Sequence, residues 1–412
     1  ANATVSRLLN NDLYTLKTDD DVSDLIFGDT TSTLTINDMK NAPYDDPRWE
    51  ELVNKVTVPE FLDFSANAFH NIQGIASVNM PQKAADDGPG GSDSHYLNEG
   101  GYQGVPYAHA ADYTSGTRVA PPPGNVGNAR NTAQAFENGE IILGESTLVL
   151  DLPIMIGPGM NIHLHAYNAR GVEYYSEDPI LSGYVGSAVV QGAQSKGTLV
   201  NIKHMGFNDQ EHNRAGISAY MTEQKFRETD LRGFEGALSD AFGMGVMIAF
   251  NRIGATNASH HVGMIQKIVR GEWGFKGLIS TDMMNNYLYF NAESMVMAGI
   301  TQVADFAADN SHINLGEGGV DAVWPHISLE TVSKDSNLVE QARENLKYQL
   351  YIFANSAILN ISTQRVNTWW DTALTVTTYA SSILAVLFFL AWVVLTLLPE
   401  KKPVVVRVEN KR

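Results

Sequence analysis

Residues 201–214 read NIKHMGFNDQEHNR and bring Lys203, His204, Glu211 and Arg214 within twelve positions, directly behind the apolar run GTLV. A plain polar loop could have this composition. So could a sugar site, because a sugar ring carries many hydroxyls that need fixed donors and acceptors. A separate carboxylate, Asp282, ends the apolar run GLIST. At the end of a strand it could stabilise or attack an electron-poor carbon, as in glycoside hydrolysis, or it could cap the helix that follows. Lys203 and His204 leave their strand together with side chains starting on opposite faces, so one can enter a site while the other braces it. A lysine near Asp282 would keep that carboxylate ionised. His204 by itself reads equally well as a hydrogen-bonded core histidine. Arg170 and Asp87 add a donor fork and an acceptor suited to vicinal hydroxyls. Glu173, Glu177 and Asp178 in VEYYSEDP can join such a site or cap the next helix. The histidines of HLH and SHH lack the helical i, i+4 spacing of a metalloprotease, so no metal is expected.

These groups need a scaffold that sets them side by side. Strand-like runs occur at LPIMIGPG, TLVNIKH, GVMIAFN, GLISTDM and TQVADF, with helical patterns between them. In PILSGYVGSAVVQGAQ, Leu181, Tyr184, Val185, Ala188 and Val189 fall at three- and four-residue steps, on one face of a helix, and Phe226, Leu231, Phe234 and Leu238 recur further on with a similar helical pattern. Alternating strands and helices give an α/β fold with a parallel sheet, either open or closed into a barrel. The chain has the roughly 250 residues a (β/α)8 barrel requires, and polar residues sit at successive strand ends, where barrel enzymes build their sites. Without a glycine-rich dinucleotide fingerprint or phosphate loop, an open nucleotide-binding sheet is disfavoured and no cofactor is expected. The expected fold is therefore a TIM-like barrel over residues 46–360, with a polar lead or linker over 1–45. Residues 336–359 form its closing helix.

After a juxtamembrane linker (361–371) comes a stretch with no charge from 373 to 398, 26 residues, longer than the roughly 20 that span a bilayer core. A single C-terminal transmembrane helix over 372–398 is expected, with Trp369 and Trp370 as interface anchors. The tail 399–412 carries Lys401, Lys402, Arg407, Lys411 and Arg412, which by the positive-inside rule places it in the cytoplasm and the barrel outside the cell, with membrane lipid around the span. The chain opens ANATVSRLLNN, without initiator methionine or signal core, so a cleaved product is expected, with something once preceding Ala1. A net charge of −18 argues against a nucleic-acid partner, and the lack of cysteine excludes disulfides and thiolate metal sites.

The segments DDGPGG, IGPGMNIHLHAYNARGVEYYSEDPILSG, QSKGTLVNIKHMGFNDQEHNR, VMIAFN and RGEWGFKGLISTDM, in this order, resemble the barrel domain of glycoside hydrolase family 3, in its β-glucosidase branch. The resemblance covers roughly residues 50–355. It implies a retaining hydrolase of β-linked oligosaccharides or glucosides, with Asp282 as the nucleophile. It implies also that Asp87, Arg170, Lys203 and His204 hold the hydroxyls of the reacting sugar, that Met247 lines the same subsite, and that Glu173 stands beside the arginine. Glu211 and Arg214 fall behind this wall. The chain departs from the family at Phe250, where a tyrosine usually supports the nucleophile, and at Met283, where a tryptophan usually stacks on the next sugar. The family's acid/base glutamate lies on a second domain. The domain order here implies that this donor lay upstream of Ala1 and is now a second chain. The other expectation is a cell-surface protein that binds glycans and cleaves them weakly or not at all.

Overall fold

The structure is a computed structural model that describes residues 13–17, 20–22, 25, 27–61, 71–72, 74–87, 130–144, 152–165, 168, 170–208, 210–212, 214, 217–282, 291–304, 334–359 and 369–397. The chain divides into two units, Ala1–Ile361 and Ser362–Arg412.

In the first unit, the strands β1 (Asn71–Ile72), β2 (Lys83–Asp87), β3 (Ile154–Gly159), β4 (Leu199–Met205), β6 (Gly245–Ile248) and β9 (Leu278–Thr281) form one six-stranded sheet in the order β1-β2-β3-β4-β6-β9. β1 runs antiparallel to β2, and every later pair is parallel. Four of the five expected strand runs are strands. TQVADF contributes instead isolated bridge residues, Gln302 pairing in parallel with Ser280 of β9, and its last two residues lie outside the described set. A second sheet joins the short strands β5 (Ser218–Ala219), β7 (Arg252–Ile253) and β8 (Thr256–Asn257).

Both faces of the large sheet are covered, as its apolar sequence requires. Met155, Val200, Ile202, Val246, Ile248 and Ile279 pack with α3 (Pro179–Gln194) and the helical run after β5. Ile154, Ile156, Leu199, Met247 and Leu278 belong to a second cluster with α1 (Arg48–Lys55) and α6 (Ser336–Ala354). Between the layers, Asn201 Nδ2 donates to Ser280 Oγ at 2.9 Å across β6. Gly245 makes room for it, since a Cβ there would lie 2.9 Å from Asn201 Oδ1.

Two sequence expectations change here. Tyr184, which its spacing sets on one helix face with Val185, Ala188 and Val189, is 66% exposed, and the buried face of α3 is built from Ser182, Gly183, Val185, Gly186, Ala188, Val189, Val190, Gly192 and Ala193. Close helix packing causes this, because a Cβ at Gly192 would collide with the carbonyl of Phe136 on α2 (Thr132–Asn138). The polar lead is also partly core. Ile36 and Met39 are wholly buried, because these apolar residues share one face of the short 3-10 helix Ile36–Met39 and pack with Trp49 and α6.

The lead is fastened further by Asp335, the fully buried N-cap of α6. Its carboxylate accepts from Leu338 N at 3.1 Å, Lys17 N at 2.8 Å and the Tyr14 hydroxyl at 3.0 Å. Tyr14 N donates to Ser294 Oγ at 2.8 Å, on α5 (Ala292–Ala298), which ties the segment to two helices.

The second unit contains α7 (Trp369–Leu397), in which Thr372–Leu397 is long and apolar enough to cross a membrane. Several of its hydroxyls bond back within the helix, for example Thr377 Oγ1 to Ala373 O at 2.7 Å and Ser382 Oγ to Thr378 O at 2.8 Å.

Removing the Asp335 carboxylate strands several buried donors at once. Asp335→Ala is expected to cost about 3 kcal/mol, and Tyr14→Phe about 1 kcal/mol. Urea unfolding followed by circular dichroism measures both, and an unchanged midpoint for Asp335→Ala would show that the lead is not anchored there.

Candidate active site

Arg170, Glu173, Lys203, His204, Glu211, Arg214 and Asp282 gather at the ends of β3, β4 and β9. Asp282 follows β9 and extends it by one residue, its N–H donating to Ile248 O at 3.0 Å, and it is 6% exposed. Lys203 and His204 are buried on β4, joined by a cis peptide. Asn161 grips the His204 backbone from both sides: its Oδ1 accepts from His204 N at 2.8 Å, and its Nδ2 donates to His204 O at 3.0 Å. Arg170 and Glu173 come from the turn after β3, where Arg170 N donates to Asn168 Oδ1 at 2.9 Å. Glu211 and Arg214 come from the loop after β4, held to the first loop by Glu211 N to Asn168 O at 3.3 Å.

His204 Nε2 lies 3.3 Å from Asp282 Oδ2, and Arg170 Nη1 lies 3.4 Å from the same Nε2. Arg170 uses its fork on Glu173, through Nε to Oε1 at 2.9 Å and Nη2 to Oε2 at 2.7 Å. Lys203 Nζ stands 3.9 Å from Glu173 Oε2. Glu211 accepts from Asn208 Nδ2 at 3.0 Å, pairs with Arg214 Nη1 at 3.0 Å and lies 3.7 Å from Arg170 Nη1. The Arg214 guanidinium covers the ring of Phe250, its Cζ 4.4 Å from the centroid.

The cluster therefore sets three cationic side chains against three carboxylates around one imidazole. Burial pushes the His204 imidazole well below its usual pKa, and Arg170, Lys203 and Arg214 push it the same way, so it is neutral at pH 7. For Arg170 burial works against the charge, but the Glu173 carboxylate overrides it and raises the pKa. Six charged side chains and a neutral ring that can donate or accept make a surface suited to an uncharged, hydroxyl-rich ligand.

Of the remaining expected residues, Met247 is 4% exposed in the inner cluster and Phe250 is 2% exposed. Asp87 ends β2 in register with Ile156 and is described by its backbone alone, and Met283 lies outside the described residues. Asp178 takes the capping role, accepting from Ile180 N at 2.8 Å. His163 of the HLH motif spends its Nε2 on the carbonyls of Gly171 and Tyr174, at 2.9 and 3.0 Å. The Asn257 amide of the NAS sequon is internal, 3% exposed and donating to Phe250 O at 3.2 Å. Asn161, Asn168 and Asn208 were missed, because no spacing in the sequence marks an asparagine that braces a neighbouring loop.

A buried neutral histidine has a definite pH signature. The unfolded chain takes up a proton near pH 6.5, whereas the folded chain resists it. The stability this contributes is therefore complete above that value and lost as the pH falls below it. His260, pushed down to about 4 by burial, carries the same sign over the window from about 6.5 to 4. In proton NMR the His204 Cε1–H signal should show no inflection near pH 6.5, and an inflection there would mean an exposed ring.

The sequence matches the profile described as "Glycosyl hydrolase family 3 N terminal domain" over residues 95–304, about half of the chain. Among curated proteins it is similar to "Probable beta-glucosidase K" of Emericella nidulans, 30% identical over 238 residues, covering 57% of this chain and 26% of that protein. "Probable beta-glucosidase J" of the same organism is 32% identical over 237 residues, with the same coverages of 57% and 26%. The chain thus spans about a quarter of the length of these relatives. Among solved structures, β-glucosidase 3B from Thermotoga neapolitana has a similar fold, with a TM-score of 0.63 at 24% identity over 76% of this chain and 44% of that one. Profile, relatives and fold agree, and the chain belongs to glycosyl hydrolase family 3.

Proposed function

We propose that this chain is the nucleophile-bearing part of a membrane-anchored, retaining β-glycosidase acting on β-glucosides or β-linked oligosaccharides. The observation that carries the proposal is the 3.3 Å contact between His204 and Asp282 inside a charge-balanced wall at neighbouring strand ends. Asp282 is the nucleophile. Its carboxylate attacks the anomeric carbon while the glycosidic oxygen leaves with a proton, and water then hydrolyses the glycosyl ester with overall retention. Retaining hydrolysis needs a proton-donating carboxyl about 5–5.5 Å from the nucleophile, and a glutamate on a second domain or chain supplies it. The matched stretch makes up only about a quarter of the curated relatives' length, which supports that division of labour.

Asp87, Arg170, Lys203 and His204 bind the sugar hydroxyls, Met247, Phe250 and Met283 line the subsite, and Glu173, Glu211 and Arg214 hold the binders. Closure of the parallel sheet into a (β/α)8-like barrel over residues 46–360 would bring Asp87 to the same rim as Asp282. The apolar helix anchors the protein in the cell membrane, with the barrel outside and the basic tail in the cytoplasm, as the positive-inside rule directs.

One observation favours a second reading, a glycan-binding protein of reduced activity. Phe250 has no hydroxyl to offer the nucleophile, where the family usually has a tyrosine.

A 2,4-dinitrophenyl 2-deoxy-2-fluoroglucoside separates the two readings, because its leaving group departs without a proton donor. Asp282 is expected to become covalently labelled, as read by peptide mass spectrometry, and the folded Asp282→Asn protein to take no label. Glucose binding without labelling would replace the enzyme reading with the binding one.

A further inference from the structure

The polar wall ends on an aromatic ring. Arg214 Cζ sits over the Phe250 ring, 4.4 Å from its centroid, and its Nη1 reaches Glu211 Oε2 at 3.0 Å and Oε1 at 3.3 Å. Glu211 Oε1 is 3.7 Å from Arg170 Nη1, and that nitrogen is 3.4 Å from His204 Nε2. Glu211 is thus placed between two arginines, bonded to one and held just short of the other.

We infer that Phe250 and Arg214 are positioning residues: the aromatic stack clamps Glu211, and the clamped Glu211 leaves Arg170 turned toward His204 and the sugar-binding edge. A guanidinium presents its flat face to the ring while its edge stays free for a carboxylate, so one side chain can be fixed from two directions. An arginine–glutamate pair as exposed as this one, 21% and 26%, is worth little when both partners are free to move. The ring removes that freedom. Without Arg214, Glu211 has Arg170 as its nearest cation, and Arg170 Nη1 swings off His204 to close the 3.7 Å gap. A lysine at position 214 keeps the charge but has no plane to stack, and an aliphatic residue at 250 fills space but offers no π face. The ring that cannot supply a hydroxyl to the nucleophile thereby serves the other side of the site.

The inference rests on the proposed function only for its sugar-binding consequence, so the test has two arms. The full chain, labelled with 15N-arginine in a detergent without a sugar headgroup, is compared as wild type, Arg214→Lys, Phe250→Leu and Phe250→Trp. The Arg170 Nε–H signal, assigned by its loss in Arg170→Lys, reports the Arg170 geometry. Glucose titration reports binding. The Arg214→Lys and Phe250→Leu proteins are expected to shift the Arg170 signal and bind glucose roughly tenfold more weakly. Phe250→Trp is expected to restore both. An Arg170 signal unmoved in Arg214→Lys and Phe250→Leu overturns the inference whatever the glucose result, and Arg214→Lys decides it alone if Phe250→Leu does not fold. A shifted signal in a chain whose wild type binds no glucose upholds the positioning role and removes the sugar reading instead.

Discussion

A carboxylate buried beside an imidazole is tolerable only if the charges around it are answered, and this constraint organises the candidate site. Asp282, Glu173 and Glu211 stand opposite Arg170, Lys203 and Arg214, with His204 kept neutral among them by burial and by the nearby cations. Removing Asp282 would leave the deeply buried Lys203 with less compensation in a low-dielectric place, which costs more than a pair itself contributes. The geometry is therefore specified by mutual need, and the site is pre-organised before any ligand arrives.

Parallel pairing makes this possible. Register sets the ends of β4, β6 and β9 level, so a residue leaving one strand meets residues leaving the next. Polar braces then act at short range. Asn161 holds the His204 backbone by both of its atoms, and Asn168 joins the arginine turn to the loop carrying Glu211. Covering both faces of the sheet with apolar clusters leaves the strand ends as the place where buried polar groups can meet without cutting the core.

The second unit follows a different physics. Over Thr372–Leu397 the apolar side chains are exposed apart from the half-buried Val393, an arrangement suited to lipid. Threonine and serine hydroxyls that would be costly in hydrocarbon fold back onto carbonyls one turn earlier.

Local chemistry was legible in the sequence by itself. Apolar runs announced β3, β4, β6 and β9, the recurrence of Phe226, Leu231, Phe234 and Leu238 announced a helical face that is buried, and ordered motifs announced the family. Each is a property of neighbouring residues, so a linear reading captures it. Tertiary structure alone decided that Tyr184 points outward, that Ile36 and Met39 join the core and that Asn161 braces His204. It alone decided that Arg214 lies on Phe250. Those outcomes depend on which distant segments come together. His204 and Arg170 are 34 residues apart in the chain and 3.4 Å apart in the fold. Charge pairing and close helix contact are decided by spatial neighbours, and spacing along the chain carries no record of them.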